Sequence, residues 1–203
     1  MALANYGDLK TRIADFMFDA GIVDTEAADI VTLSQAMLNT TLRSREMVTS
    51  VDLSPTAGVF TLPTDYAQWR MVVEKASQRR PLEYITMEEA EEVYPDRPSG
   101  LGQYFTITGS SLRVFPTITN DINFVYYARL GAFASDSATD WLLTRYPHVY
   151  LCAGQMVAAE FIKDDAEYAK HAAALERYIS MIHGQDDAAE IASAGLHIQS
   201  ITP

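Results

Sequence analysis

Apolar positions recur at helical spacing toward both ends of the chain and alternate at strand spacing in its middle. From Asp165 onward, Tyr168, Ala172, Leu175, Ile179 and Ile182 follow at steps of four, three, four and three. That spacing places them on one face of a helix. Upstream, Pro147 suits a first helical turn, where its missing N–H goes unused. The small residues Ala153, Gly154, Ala158 and Ala159 allow close packing along a helix over 147–162. The second helix of this pair is expected over 165–183, extending past Gly184 toward Ala192, with Gly195 ending helical structure. Near the start, Leu9, Ile13, Phe16 and Met17 share one face of a helix over 6–20, and Gly21 is its stop. Ile30, Leu33, Met37 and Leu38, with Leu42 one turn on, line the inner face of a helix over 26–45, started by Asp24 or Thr25.

The middle, 48–130, reads differently. Ser54-Pro55-Thr56-Ala57-Gly58 is a turn signal between strands at 51–53 and 59–62. Short strands are expected at 69–75 and 82–85. Thr86 with Glu89 forms a capping-box pattern, so 87–93 is a short helix. A loop at 95–102 leads to a hairpin, 104–108 and 112–115, around Gly109-Ser110. At 122–129, Ile122, Phe124 and Tyr126 alternate with the bulky Val125 and Tyr127, so this strand is expected to be covered on both faces. A polar linker follows at 134–139.

This order predicts a mainly α (α+β) fold: a helical bundle from the N- and C-terminal helices with an inserted antiparallel β region. A length of 203 residues suits one domain. Its expected parts are a helical hairpin at 1–47, the β region at 48–130 and C-terminal helices at 140–194. An extended tail at 196–203 mixes apolar and polar residues.

Composition narrows the function. The net charge is −12, which argues against a free-standing nucleic-acid binder, because phosphate neutralisation needs an excess of Lys and Arg. An acidic surface does suit a channel past which DNA slides without sticking. The single cysteine, Cys152, can form no internal disulfide, so an intracellular folding compartment is expected. No apolar run approaches the ~20 residues that span a bilayer, and Met1 to Tyr6 lacks the pattern of a signal peptide.

Candidate chemistry is sparse. Glu88, Glu89, Glu91 and Glu92 read as a solvated helix face rather than a cation site, since ligands need to converge from several elements. Asp164-Asp165 and Asp186-Asp187 are adjacent pairs, and Asp165 is placed to begin a helix. His148, His171, His183 and His197 lack zinc spacing. Cys152 reads as a small buried hydrophobe. Arg43, Arg45, Arg79 and Arg80 are candidates for phosphate contact, but helix C-terminal charge and turn solubility explain them as well. Tyr104, Phe105, Phe115, Phe124, Tyr126 and Tyr127 read as sheet core, because no basic residues interleave with them as base stacking would need. No catalytic, cofactor-binding or metal residue stands out, and no cofactor is expected.

One further pattern spans most of the chain. Tyr6-Gly7-Asp8-Leu9-Lys10 opens the first helix, and Leu42-Arg43-Ser44-Arg45-Glu46-Met47 closes the second. Phe60-Thr61-Leu62-Pro63-Thr64-Asp65-Tyr66 and Arg80-Pro81-Leu82-Glu83-Tyr84 follow. Then come Gln103 to Gly109, Val125-Tyr126-Tyr127 and the Trp141-Leu142-Leu143 block. In this order they resemble the head-to-tail adaptors (connector or head-completion proteins) of tailed bacteriophages.

The resemblance implies a structural virion protein without catalytic residues. It implies a ring of about twelve copies beneath the portal, lining the DNA channel of the head–tail neck and assembled in the host bacterial cytoplasm. Its partners would be the portal protein, a downstream neck or tail protein, further copies of itself and, passively, the passing genome, with no membrane. The tail residues Leu196, His197, Ile198, Gln199, Ser200, Ile201, Thr202 and Pro203 are the expected portal-binding segment, docking by strand addition. The alternatives are a tail-terminator or other tail-tube component, which needs a sheet-dominated ring, and a virion-associated enzyme.

Overall fold

The computed structural model describes residues 3–16, 24–76 and 78–193. Along the chain come α1 (Tyr6–Phe16), α2 (Asp24–Thr41), a 3-10 turn (Arg45–Met47), β1 (Val48–Leu53), β2 (Val59–Thr61), β3 (Tyr66–Glu74), β4 (Arg80–Pro81) and β5 (Glu83–Tyr84). Then follow α3 (Met87–Val93), β6 (Tyr104–Thr108), β7 (Ser111–Phe115), β8 (Ile122–Ala128), α4 (Trp141–Arg145), α5 (Pro147–Phe161) and α6 (Asp165–Ser193). They divide into two compact units, residues 1–46 with 130–203, and residues 47–129.

The expectation of a mainly α bundle with an inserted antiparallel β region is corrected. Helix makes up 46% and strand 24% of the structure, so neither is a minor addition to the other. The strands build two separate four-stranded sheets, ordered β1-β8-β3-β4 and β2-β7-β6-β5. The second is mixed, because β5 runs parallel to β6. Alternation in a sequence reports the period of a strand but not its partner or direction, and the error lies there.

In the first unit, α5 packs against α1, α2, α4 and α6. Gly154 is the close-packing point: a Cβ there would overlap the buried Ile13 side chain of α1. The inner face of α2 differs from the expected one. Leu33 is 57% exposed, whereas Ser34 and Gln35 are buried. The Ser34 hydroxyl donates to the Ile30 carbonyl at 2.7 Å. The Gln35 amide donates to the Gly131 carbonyl (3.1 Å) and to the Tyr150 hydroxyl (3.2 Å). A buried amide is stable when its hydrogen bonds are made, and periodicity alone cannot anticipate that. On α6, Leu175 and Ile182 are buried, but Tyr168 is exposed.

The segment expected as a polar linker, 134–139, is a strap tied to the start of α1. Tyr6 N and Gly7 N, donors that the first turn of α1 cannot satisfy internally, reach the carbonyls of Ala138 and Asp136, each at 2.9 Å. The Lys10 ammonium meets the Asp136 carboxylate at 2.8 Å. The ring of Tyr6 stacks on Phe133 at 4.9 Å. Gly7 keeps the approach close, since a Cβ would sit 3.3 Å from Asp136 and the strap would have to give by a few tenths of an ångström.

In the second unit, one core lies among residues of both sheets, with Phe60, Leu112 and Phe105 from one and Val72, Phe124 and Tyr126 from the other. The chain changes sheet four times in this unit, at β1–β2, β2–β3, β4–β5 and β7–β8. The 54–58 turn joins β1 to β2, which lie in different sheets. At Leu82, N–H bonds to the Val72 carbonyl and then Glu83 N to the Gln103 carbonyl, both at 2.9 Å. The hairpin β6–β7 and the capping box of α3 form as expected. Expected cover on both faces of β8 is only partly met: Ile122, Phe124 and Tyr126 are buried, but Val125 and Tyr127 are half-exposed.

Candidate functional site

The residues with candidate chemistry are spread apart. The ring of His148 lies on Tyr178 at 4.3 Å. His171 packs edge-on to Phe16 and sits 3.2 Å from the Glu167 carboxylate. His183 accepts from Arg43 N at 3.5 Å. Among the described residues, no group of three His, Cys, Asp or Glu is placed to hold a metal ion. Burial pushes the Cys152 thiol up from its ordinary pKa, the reverse of what activates a nucleophile. His197 and the other expected portal-binding residues, 196–203, lie outside the described residues.

The arginines have local partners. Arg43 donates to the carbonyls of Asn39 (2.9 Å) and Leu42 (2.6 Å) beyond the end of α2, which is the role of a helix C-terminal cation. Arg45 meets Asp186 twice, backbone N at 2.9 Å and side-chain Nε at 3.4 Å. Glu46 bonds Arg145, and the Tyr146 hydroxyl donates to Gln185 at 3.1 Å. Residues 42–46 are thereby tied to the second half of α6 and the end of α4. The 60–66 segment is equally committed: Phe60 and Leu62 are core, and Asp65 accepts the Tyr126 hydroxyl at 2.9 Å. Burial, followed by this carboxylate, pushes the Tyr126 pKa up to about 12.

What remains available is surface. At the turn between α5 and α6, Phe161 (64%) and Ile162 are exposed, together with Tyr168 one turn into α6. Lys163 takes the left-handed conformation there, with φ 61°. Asp165 begins α6 as expected, and Asp164 caps it: the Asp164 carboxylate accepts from Ala166 N and Glu167 N, both at 3.1 Å. Sequence reasoning assigned Ile162 to the helix and missed this apolar corner. The signal was present in Lys163-Asp164-Asp165, since a capping aspartate marks the start of a new helix.

In the second unit, residues 79–93 form a second surface, exposed except for the buried Leu82 and Ala90 and the half-buried side chains near them. Arg80 and Pro81 are exposed on β4, at the edge of their sheet. An open hollow of about 230 Å³ lies among Arg80, Pro81, Glu83, Gln103 and Tyr104. At the far end, Glu88, Glu89 and Glu92 are exposed on α3, and Val93 is 61% exposed. Glu89 is committed to the Thr86 cap and Glu91 to Arg97. The side chains of Arg80, Glu88 and Glu92 make no hydrogen bond or ion pair among the described residues.

Neither surface brings converging polar groups to a closed pocket among the described residues. Among the described residues, no helix is long and apolar enough to cross a membrane. The family model described as SU10 adaptor protein matches residues 4–198. No curated protein matches the chain.

Proposed function

The chain belongs to the SU10 adaptor protein family, and on that premise we propose that it forms a ring joining the portal vertex of a phage capsid to the tail. The family is one of structural phage adaptors, which makes the chain a virion component in contact with other capsid or tail proteins. The finer reading is a ring of about twelve copies that lines the DNA channel and is closed by heterologous contacts. The observation that carries it is the family match over nearly the whole chain. The net charge of −12 per copy supports it, since a lumen of one sign repels DNA and lets it pass.

Residues 1–195 act as one adaptor domain, and 196–203 as its docking tail. Leu196 and Ile198 offer apolar side chains at alternate positions, with Ile201 three residues on, and strand addition to the portal would use backbone bonds for affinity and alternate side chains for pockets. Assembly takes place in the host cytoplasm before the tail joins.

A phage lacking this protein tests the reading. It should accumulate filled or leaking heads and free tails, and supply of the full chain in trans should restore joining. Normal joining without the chain would contradict the proposal. Supply of a chain truncated after Gly195 addresses the tail alone: it should fail to load onto portal-bearing heads, and infectious particles made with it would refute the docking role.

A further inference from the structure

The 79–93 segment has unlike ends. Arg79 and Arg80 stand at its start, and Glu88 and Glu92 stand on α3 near its end. The backbone between them is held extended, with Leu82 N on the Val72 carbonyl, Glu83 N on the Gln103 carbonyl and Ile85 N on the Phe105 carbonyl at 2.9–3.0 Å. Extended chain from Arg80 to Thr86 spans roughly 20 Å. This exceeds the screening length of about 8 Å at physiological salt, so the two ends do not neutralise one another.

The ends also differ in shape. The basic end borders the hollow of about 230 Å³ beside Arg80 and Pro81. The acidic end presents the largely exposed Val93 directly after Glu92. An exposed apolar side chain beside Glu92 and a hollow beside Arg79 and Arg80 are complementary, and one chain carries both on different patches.

We propose that this segment is a contact between copies of this chain: the acidic end of one copy docks on the basic end of the next. Glu88 and Glu92 face Arg79 and Arg80, and Val93 enters the hollow beside Pro81. Glu83 lines the hollow with Arg80, and Asp52 lies beside Lys75 and Arg79, so the receiving patch keeps a small positive excess of three cations over two anions. Because different patches meet, the contact is heterologous, the kind that closes rings. Exposed ion pairs contribute little each, so the contact forms at the high local concentration of an assembly site and weakens with salt. The inference rests on the ring proposed above.

Charge reversal tests it. A phage lacking the chain is supplied with the parent protein, with Arg80→Glu, with Glu92→Lys, or with both changes in one chain. Copies per portal are then counted in purified particles. Each single reversal should lower that count about tenfold, and the double reversal should restore most of it, the signature of a direct pair in a double-mutant cycle. Both sites are exposed, so thermal melts of the purified variants should match the parent. Parental counts in either single variant, or a double variant as poor as the singles, would overturn the contact. A parent protein absent from the neck would instead overturn the ring reading beneath it.

Discussion

Each unit contains a buried tyrosine whose hydroxyl donates to an aspartate, and the two sites differ in what they hold together. In the helical unit, the Tyr150 hydroxyl donates to Asp140 at 2.6 Å, while the other Asp140 oxygen accepts from Leu143 N and caps α4. Gln35 of α2 donates to the same hydroxyl, so α2, α4 and α5 meet at one point. In the sheet unit, Tyr126 on β8 donates to Asp65, next to the start of β3. These two strands are already paired over 66–74 and 122–128. Helices satisfy their own backbone groups, so their mutual placement depends on chosen side chains. Strands satisfy theirs with neighbours, so register is fixed by backbone and the tyrosine adds to it. The helical unit accordingly uses scattered polar ties: the strap on α1, Gln35 and Asn39 on the chain at 130–131, and Arg45 on Asp186. The sheet unit relies on an apolar and aromatic core.

That contrast can be broken most sharply in the sheet core. Phe105 is fully buried and packs edge-on to both Trp69 and Tyr84. Phe105→Ala should cost about 3–5 kcal/mol by denaturant unfolding; a loss below about 1 kcal/mol would mean that the core does not carry this unit.

In the helical unit the sensitive point is steric. Gly154→Val places its side chain against Ile13, and overpacking of this kind costs about 1–3 kcal/mol. Ile13→Ala alone should also destabilise, yet the double variant should be more stable than the sum of the two losses implies. Simple additivity would show that Gly154 does not meet Ile13.

A smaller effect distinguishes the tyrosines. Tyr126→Phe removes one hydrogen bond to an exposed carboxylate and should cost about 1 kcal/mol near neutral pH. The pH dependence carries the sign. The folded pKa of Tyr126 is raised from 10.0 to about 12, so above pH 10 the unfolded chain loses this proton first. Stability should therefore fall as pH rises from about 10 to about 12, and the fall should be shallower in Tyr126→Phe. Burial and then Asp140 raise Tyr150 in the same direction, so part of the alkaline loss should remain in that variant. An unchanged alkaline slope would show that Tyr126 titrates as it does in the unfolded chain.

Much of this architecture was legible where the signal is local. Thr86 with Glu89, Gly109-Ser110 and Pro147 each mark an element boundary through chemistry contained within a few residues, and all three boundaries are found. What was misread depends on distant partners. Val51 and Val59 sit on either side of one turn but in different sheets, and β5 joins β6 in parallel through only Glu83 and Tyr84. Leu33 was expected inside and is outside, because the buried Gln35 finds Gly131 and Tyr150 far along the chain. The helix at 141–145 falls within the expected helical stretch 140–194, but it was not separated from the helix after it, although Asp140 is a good cap. Of the surface segments, the 79–93 charges were visible in the sequence as residues. Their separation by an extended, hydrogen-bonded run was not.

The most direct test of the central claim is the copy number and position of this chain in necks released from virions. Mass measurement and imaging of portal-bearing necks should find about twelve copies in a single ring next to the portal, the closed heterologous arrangement proposed above. Copies spread along the tail, or about three or six per portal, would contradict a portal adaptor ring.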